Sequence, residues 1–196
     1  MVQQNKTALV TGASRGIGRA IASALANTGA HVLVHYPRSA QDAESLVATI
    51  RSKGGRAEAI SADLATSEGA TSLAKEARSI VGDRLDVLVL NAGISKAATI
   101  KDHSLEDFDN LFATNVRSPF FLVQQLLPIL DEGSNIIVIS SLGAHAVVGK
   151  SGMENPSILA YASNQRSTRD SSQKLGGHSR NPRHSPECSR ARRDRH

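Results

Sequence analysis

Aromatic side chains make up only 3% of this 196-residue chain, and tryptophan is absent. Single-stranded nucleic acids stack on aromatic side chains, and none is interleaved among the arginines of the basic C-terminal stretch. Cysteine occurs once, as Cys188, which excludes an intrachain disulfide and fits a reducing compartment. No apolar run approaches the ~20 residues needed to cross a bilayer. The opening Met-Val-Gln-Gln-Asn-Lys has no apolar stretch behind Lys6, so no secretory signal is visible. The expectation is a cytoplasmic protein with no membrane partner. A metal centre is not expected either. His31 and His35 lie four apart on a strand, and His178, His184 and His196 fall in the C-terminal stretch without a paired-ligand motif.

The formal charge of +5 is unevenly divided. Residues 1–161 carry 14 Lys/Arg against 15 Asp/Glu, whereas residues 162–196 carry 9 against 3. The body is nearly neutral, so the basic balance says nothing about a nucleic-acid partner for the protein as a whole. Arg190, Arg192, Arg193 and Arg195 could neutralise phosphates, but no aromatic is interleaved among them. We expect no nucleic-acid binding.

The body is built around Lys6-Thr-Ala-Leu-Val-Thr-Gly-Ala-Ser-Arg-Gly-Ile-Gly-Arg-Ala20. Ala8 to Val10 read as a buried strand, Gly12, Ser14, Gly16 and Gly18 as a tight turn, and helix formers begin at Arg19. A strand, a glycine turn and a helix N-terminus in that order make an anion site, because helix-start amides point outward and glycine permits close approach. The spacing is Gly-x3-Gly-x-Gly and differs from the commoner Gly-x-Gly-x2-Gly.

Strand and helix patterns then alternate. A helical stripe of Ile17, Ile21, Ala24 and Leu25 runs to Asn27. Strands follow at His31–Val34, Ala57–Ala62, Asp86–Leu90 and Asn135–Ser140. Between them lie a helix over 41–53, with Ala43, Leu46, Val47 and Ile50 on one face, and a helix capped by Ser67. A long helix is expected over 104–130, carrying Phe108, Leu111, Phe112, Val116, Phe120, Phe121 and Val123. Continuous apolar strands between amphipathic helices imply a parallel sheet covered on both faces. The fold class is therefore α/β, a doubly wound, Rossmann-like sheet. Beyond Tyr161 the pattern fails. Residues 162–196 contain one long aliphatic side chain, Leu175, too little apolar area to offset chain entropy. The division is a dinucleotide-binding domain over 1–163, incomplete at its C-terminal side, and a disordered basic tail over 164–196.

Thr11-Gly-Ala-Ser-Arg-Gly-Ile-Gly18, Asp63-Leu64, Asn91-Ala-Gly93, Asn115, Ser140-Ser141 and Tyr161 together resemble the short-chain dehydrogenase/reductase family, in order and in spacing, over about residues 1–163. The resemblance implies hydride transfer between a nicotinamide cofactor and a small-molecule ketone or alcohol. It implies cofactor contacts from Gly12, Ser14, Arg15, Gly16, Ile17, Gly18, Asp63, Leu64, Asn91, Ala92, Gly93 and Tyr161. Asp63, at a strand end, would accept from an adenine amino group. Catalysis would fall to Asn115, Ser141 and Tyr161, with Asn115 holding a water in a proton relay. Leu90 stands where the family usually has a first asparagine. Members are dimers or tetramers through the long helix and one after Tyr161. The polar composition past Tyr161 leaves no such second helix, which weighs against assembly here.

Cofactor choice is argued from the second strand. An NAD-specific site ends that strand with an acid for the ribose 2′-OH. Here the stretch is His35-Tyr36-Pro37-Arg38, and Arg15 lies in the glycine turn. Two cations without a carboxylate suit a 2′-phosphate, so NADP(H) is preferred, with NAD(H) as the alternative.

One position departs from the resemblance. The family places a lysine four residues after the tyrosine, and its charge lowers the phenol's pKa from ~10. That position is Gln165. Codons for Asn164-Gln-Arg-Ser-Thr-Arg-Asp170 can be chosen so that reading from the second base gives Thr-Lys-Gly-Ala-Leu-Glu-Thr, restoring Tyr-x3-Lys. Glu187-Cys-Ser-Arg-Ala-Arg-Arg-Asp194 can likewise read Asn-Ala-Val-Ala-Pro-Gly-Val-Ile, which resembles the family's next strand and turn. The expectation is that 164–196 is a frameshift product, that the chain is truncated relative to the family, and that Ile136–Ile139 forms an open sheet edge.

Overall fold

A computed structural model describes residues 6–96 and 102–141. Five strands form one parallel sheet in the order β3-β2-β1-β4-β5. These are β1 (Thr7–Val10), β2 (His31–Tyr36), β3 (Arg56–Ser61), β4 (Val87–Leu90) and β5 (Asn135–Val138). Helices α1 (Gly16–Asn27), α2 (Ala40–Ser52) and α3 (Gly69–Val81) follow the first three strands. After β4 come α4 (Leu105–Phe112), a π-helical turn (Ala113–Arg117), α5 (Ser118–Leu126) and a 3-10 turn (Leu127–Ile129).

Alternation along apolar strands sends successive side chains to opposite faces, and both faces are covered. Leu9, Leu33, Ile60 and Leu88 point to one side, where Leu73, Ala74 and Ala77 of α3 and Leu122, Val123 and Leu126 of α5 complete a core. Ala8, Val10, Val32, Val34 and Val89 point to the other and meet Ala22 and Ala26 of α1 and Ala43, Leu46, Val47 and Ile50 of α2. The α2 stripe is the one read from spacing. At the N-terminal end of the sheet, Asp86 Oδ2 accepts from the Thr7 amide at 2.9 Å, and Arg84 Nε donates to its Oδ1 at 2.8 Å. Burial raises the Asp86 pKa, but the Thr7 amide, Arg84 and Lys6 together hold it below the usual carboxylate range.

Four expectations are corrected. Helix α1 begins at Gly16, so Gly16 and Gly18 belong to its first turn. Its fully buried face is Gly18, Ala22 and Ala26, whose small side chains let the helix approach the sheet; of the expected stripe, Ile21 and Leu25 are half-buried against the same core, while Ile17 and Ala24 are exposed. Ser67 caps nothing: α3 starts two residues later behind Glu68, and the Ser67 hydroxyl donates to the Glu68 carboxylate. The long helix is interrupted by the π turn, and Phe108, Phe120 and Phe121 are exposed. At β5, the last strand of the sheet among the described residues, Ile136 and Ile137 are also exposed. Tyr161, Gln165 and the 164–196 tail lie outside the described residues.

Candidate functional site

In a doubly wound sheet, ligands sit outside the strand C-termini where the chain order reverses. Here that point lies between β1 and β4, paired in register from Ala8 with Val87 to Val10 with Val89. The loops leaving these strands are locked together by one hydroxyl. Thr11 Oγ1 donates to the Val89 carbonyl at 3.2 Å and accepts from the Asn91 and Ala92 amides, both at 2.9 Å. The Asn91 carboxamide then donates to the carbonyls of Thr11 (2.9 Å) and Gly12 (3.1 Å).

The glycines fit this crossing. Gly12 has φ +63°, and a Cβ there would meet the Ala92 Cα at 2.9 Å. At Gly18 a Cβ would lie 2.4 Å from both Asn91 Nδ2 and the Gly12 carbonyl. Gly16, with φ +56°, faces open space as α1 begins. The turn is shaped by glycine on one side and left open on the other.

A cavity of about 700 Å³ opens beside it. Ser14, Arg15 and Ile17 line it from the turn and α1, together with Gly12. Arg38 lines it beyond β2, Asp63 and Leu64 beyond β3, and Asn91, Ala92 and Gly93 beyond β4. Ile17 is 64% exposed, a large apolar side chain left uncovered at the mouth. Asp63 is not a helix cap: its Oδ1 accepts from Ala65 N at 3.0 Å, and its Oδ2 lies 3.6 Å from the Arg38 guanidinium. Lys96 and Asp107 close one rim with a 3.2 Å ion pair. The Ser104 hydroxyl, then Lys96, hold the Asp107 pKa below its usual value.

A smaller cavity of about 330 Å³ lies past the 91–95 loop, lined by Ile17, Asn91, Gly93, Asn115, Ser140 and Ser141. Asn115 sits in the π turn and is buried, with its Oδ1 accepting from Ile94 N at 2.9 Å and its Nδ2 donating to Ile94 O at 2.8 Å. π turns inside α-helices mark functional sites often. Asn115 and Ser141 thus come together at one cavity, next to the end of the larger one. Tyr161 lies outside the described residues.

His35, assigned no role by its place in the strand-end stretch, is a further member of the site. Its side chain is 1% exposed, its Nδ1 accepts from the Gly12 amide at 3.0 Å, and its Nε2 lies 3.0 Å from the Ala62 carbonyl. Burial drives its pKa down to about 4, against the opposing pulls of the Ala62 carbonyl and Asp63. A polar residue at the end of an otherwise apolar strand was the available signal. Among the described residues no group of three or more metal-ligating side chains occurs, and no helix is long and apolar enough to cross a membrane.

This geometry defines a Rossmann-like α/β protein with a glycine-turn crevice at its switch point. Residues 6–163 match the short chain dehydrogenase family. Trihydroxynaphthalene reductase of Colletotrichum orbiculare is 38% identical over 141 residues, 72% of this chain and 50% of that protein. A short chain dehydrogenase from Burkholderia cenocepacia, solved with NADP, has a TM-score of 0.82 and 37% identity, covering 89% of this chain and 69% of that one. The angucycline C-6 ketoreductase LanV with bound NADP has a TM-score of 0.77 at 35% identity, covering 89% of this chain and 69% of that one. The chain belongs to the short-chain dehydrogenase/reductase family. It spans about half the length of the curated relatives it matches.

Proposed function

We propose that this chain is an NADP(H)-dependent oxidoreductase by descent, interconverting a small-molecule ketone and a secondary alcohol. The observation that carries the cofactor preference is the rim of the larger cavity, where Arg15 and Arg38 stand and β2 ends in Tyr36-Pro37-Arg38 with no acid. A 2′-phosphate pairs with such cations through charge-assisted hydrogen bonds. The two similar structures solved with NADP support the same choice, and NAD(H) is the second cofactor.

The residues fit a dinucleotide. Gly12, Ser14, Gly16, Ile17 and Gly18 would hold the diphosphate at the start of α1, Asp63 and Leu64 the adenine, and Asn91, Ala92 and Gly93 the far ribose; the family resemblance adds Tyr161 to the cofactor contacts. When bound, the nicotinamide supplies or accepts the hydride. Ser141 donates a hydrogen bond to the substrate oxygen, which favours the charge that develops there. Asn115 keeps the 91–95 loop in place through Ile94 and holds a water of the proton relay. Tyr161 exchanges the proton. Gln165 in place of lysine supplies no positive charge to favour the phenolate, so turnover is impaired.

That substitution also favours a second reading, a dinucleotide-binding protein without turnover. Titrating the chain with NADPH by fluorescence and then adding a panel of ketones separates the two. Saturable binding with slow NADPH oxidation supports the oxidoreductase, binding with none supports the silent protein, and no binding refutes both.

A further inference from the structure

His35 lines the larger cavity and ties β2 to the two loops that follow β1 and β3. Its own carbonyl accepts from the Ala13 amide at 2.8 Å, and its Nδ1 accepts from the neighbouring Gly12 amide at 3.0 Å. Because Nδ1 accepts, the ring proton resides on Nε2, which donates to the Ala62 carbonyl at 3.0 Å. Ala62 precedes Asp63. The Thr11–Gly12 peptide is thereby gripped from both sides, by His35 at the Gly12 N–H and by Asn91 Nδ2 at the Thr11 carbonyl. That peptide leads the chain into the amides that open α1. A buried N–H without a partner costs about 1–3 kcal/mol, so the turn would rotate to satisfy it if the imidazole were lost.

We propose that His35 is a positioning residue for the cofactor, with its Nδ1 orienting the Gly12 peptide so that the amides behind it converge on a diphosphate. This rests on the cofactor reading given above. The two ring nitrogens have different tasks. Nδ1 sets the phosphate-binding turn, and Nε2 ties the end of β2 to the end of β3.

Carboxamides separate those tasks in the full-length chain. In His35→Asn the Oδ1 falls where Nδ1 was and keeps the Gly12 contact. In His35→Gln the Nε2 falls near the ring Nε2 and keeps the Ala62 contact. NADPH titration should give His35→Asn a dissociation constant within about threefold of the parent, and His35→Gln one at least about tenfold weaker, the size of a lost buried hydrogen bond. A His35→Gln protein that binds as the parent does, or an equal loss in both variants, overturns the proposal. Amide hydrogen exchange at Gly12 reads the same contact without cofactor. Exchange should quicken at least about tenfold in His35→Gln alone, while Leu9 and Leu33 keep their protection. If the parent binds no NADPH but this exchange pattern holds, the cofactor reading fails and the positioning of the turn stands. Unchanged Gly12 exchange in His35→Gln overturns the positioning itself.

Discussion

The carboxamide of Asn115 and the backbone of Ile94 close a two-point contact, with 2.9 Å from Ile94 N to Oδ1 and 2.8 Å from Nδ2 to Ile94 O. It joins the π turn to the loop after β4, the two pieces of chain between which the smaller cavity lies. Replacement by leucine keeps the bulk and leaves both Ile94 groups without that partner. Urea denaturation of Asn115→Leu should show a loss of about 2 kcal/mol, and Asn115→Asp, which keeps the acceptor, a smaller one. A midpoint unchanged in both would refute the contact.

The glycines of the turn are not equivalent. Gly18→Ala puts a methyl 2.4 Å from the Gly12 carbonyl and Asn91 Nδ2, so it should abolish NADPH binding. Gly16→Ala meets nothing within 4 Å and pays only for φ +56°, about 1 kcal/mol. Parallel titrations and thermal melts check the order, and equal effects would contradict it.

Arg38 selects the cofactor by this account. Its partner without ligand is Asp63, 3.6 Å away on an exposed rim. Arg38→Ala should weaken NADPH by about tenfold or more, the scale of a charged hydrogen bond to phosphate, and leave NADH within about twofold. Equal losses for both nucleotides would remove the 2′-phosphate assignment.

Much of this was legible in the sequence because strand and helix periods differ. Val32, Leu33 and Val34 on β2 and Ala43, Leu46, Val47 and Ile50 on α2 are buried as their spacing implied. The π turn was not legible, because the apolar stripe on either side reads as one unbroken helix, and the contact made from the turn, Asn115 to Ile94, joins residues 21 positions apart. On α1 the spacing showed Ile21 and Leu25, which pack against the core, but not the fully buried Gly18, Ala22 and Ala26, because a stripe of small residues carries a weak hydrophobic signal. His35 stood out only as a polar residue at the end of an apolar strand; its contacts were not legible, because both its partners, Gly12 and Ala62, are backbone groups brought close by the sheet.

Acid should weaken the protein through His35. Its folded pKa of about 4 lies below the ordinary 6.5, so between those values the unfolded chain binds the extra proton. Stability from this group is complete above pH 6.5 and is lost as pH falls toward 4, by on the order of 3 kcal/mol in all. Urea midpoints of the parent and His35→Asn across that window test the sign. The variant should lose this slope, and an identical slope in both would contradict the assignment.

Gln165 and the residues after it lead to the gene. We propose that an inserted base (or two lost) near codon 164 shifted the frame, so that the original frame encodes Tyr-Ala-Ser-Thr-Lys at 161–165. Sequencing should reveal an open frame running on from that point, and an early stop there would refute it. Repairing the frame should raise ketone-dependent NADPH oxidation from near background to at least about a hundredfold more, since general acid–base catalysis contributes 10²–10⁴-fold.

The account as a whole depends on a nucleotide diphosphate resting on the amides that open α1. Adding saturating NADPH to the ¹⁵N-labelled chain tests this most directly. Shifts should appear at Ser14 through Gly18 and at Asp63, with Lys53 and Glu132 on the far side of the sheet unmoved. Silent Ser14–Gly18 amides in a folded sample would contradict it.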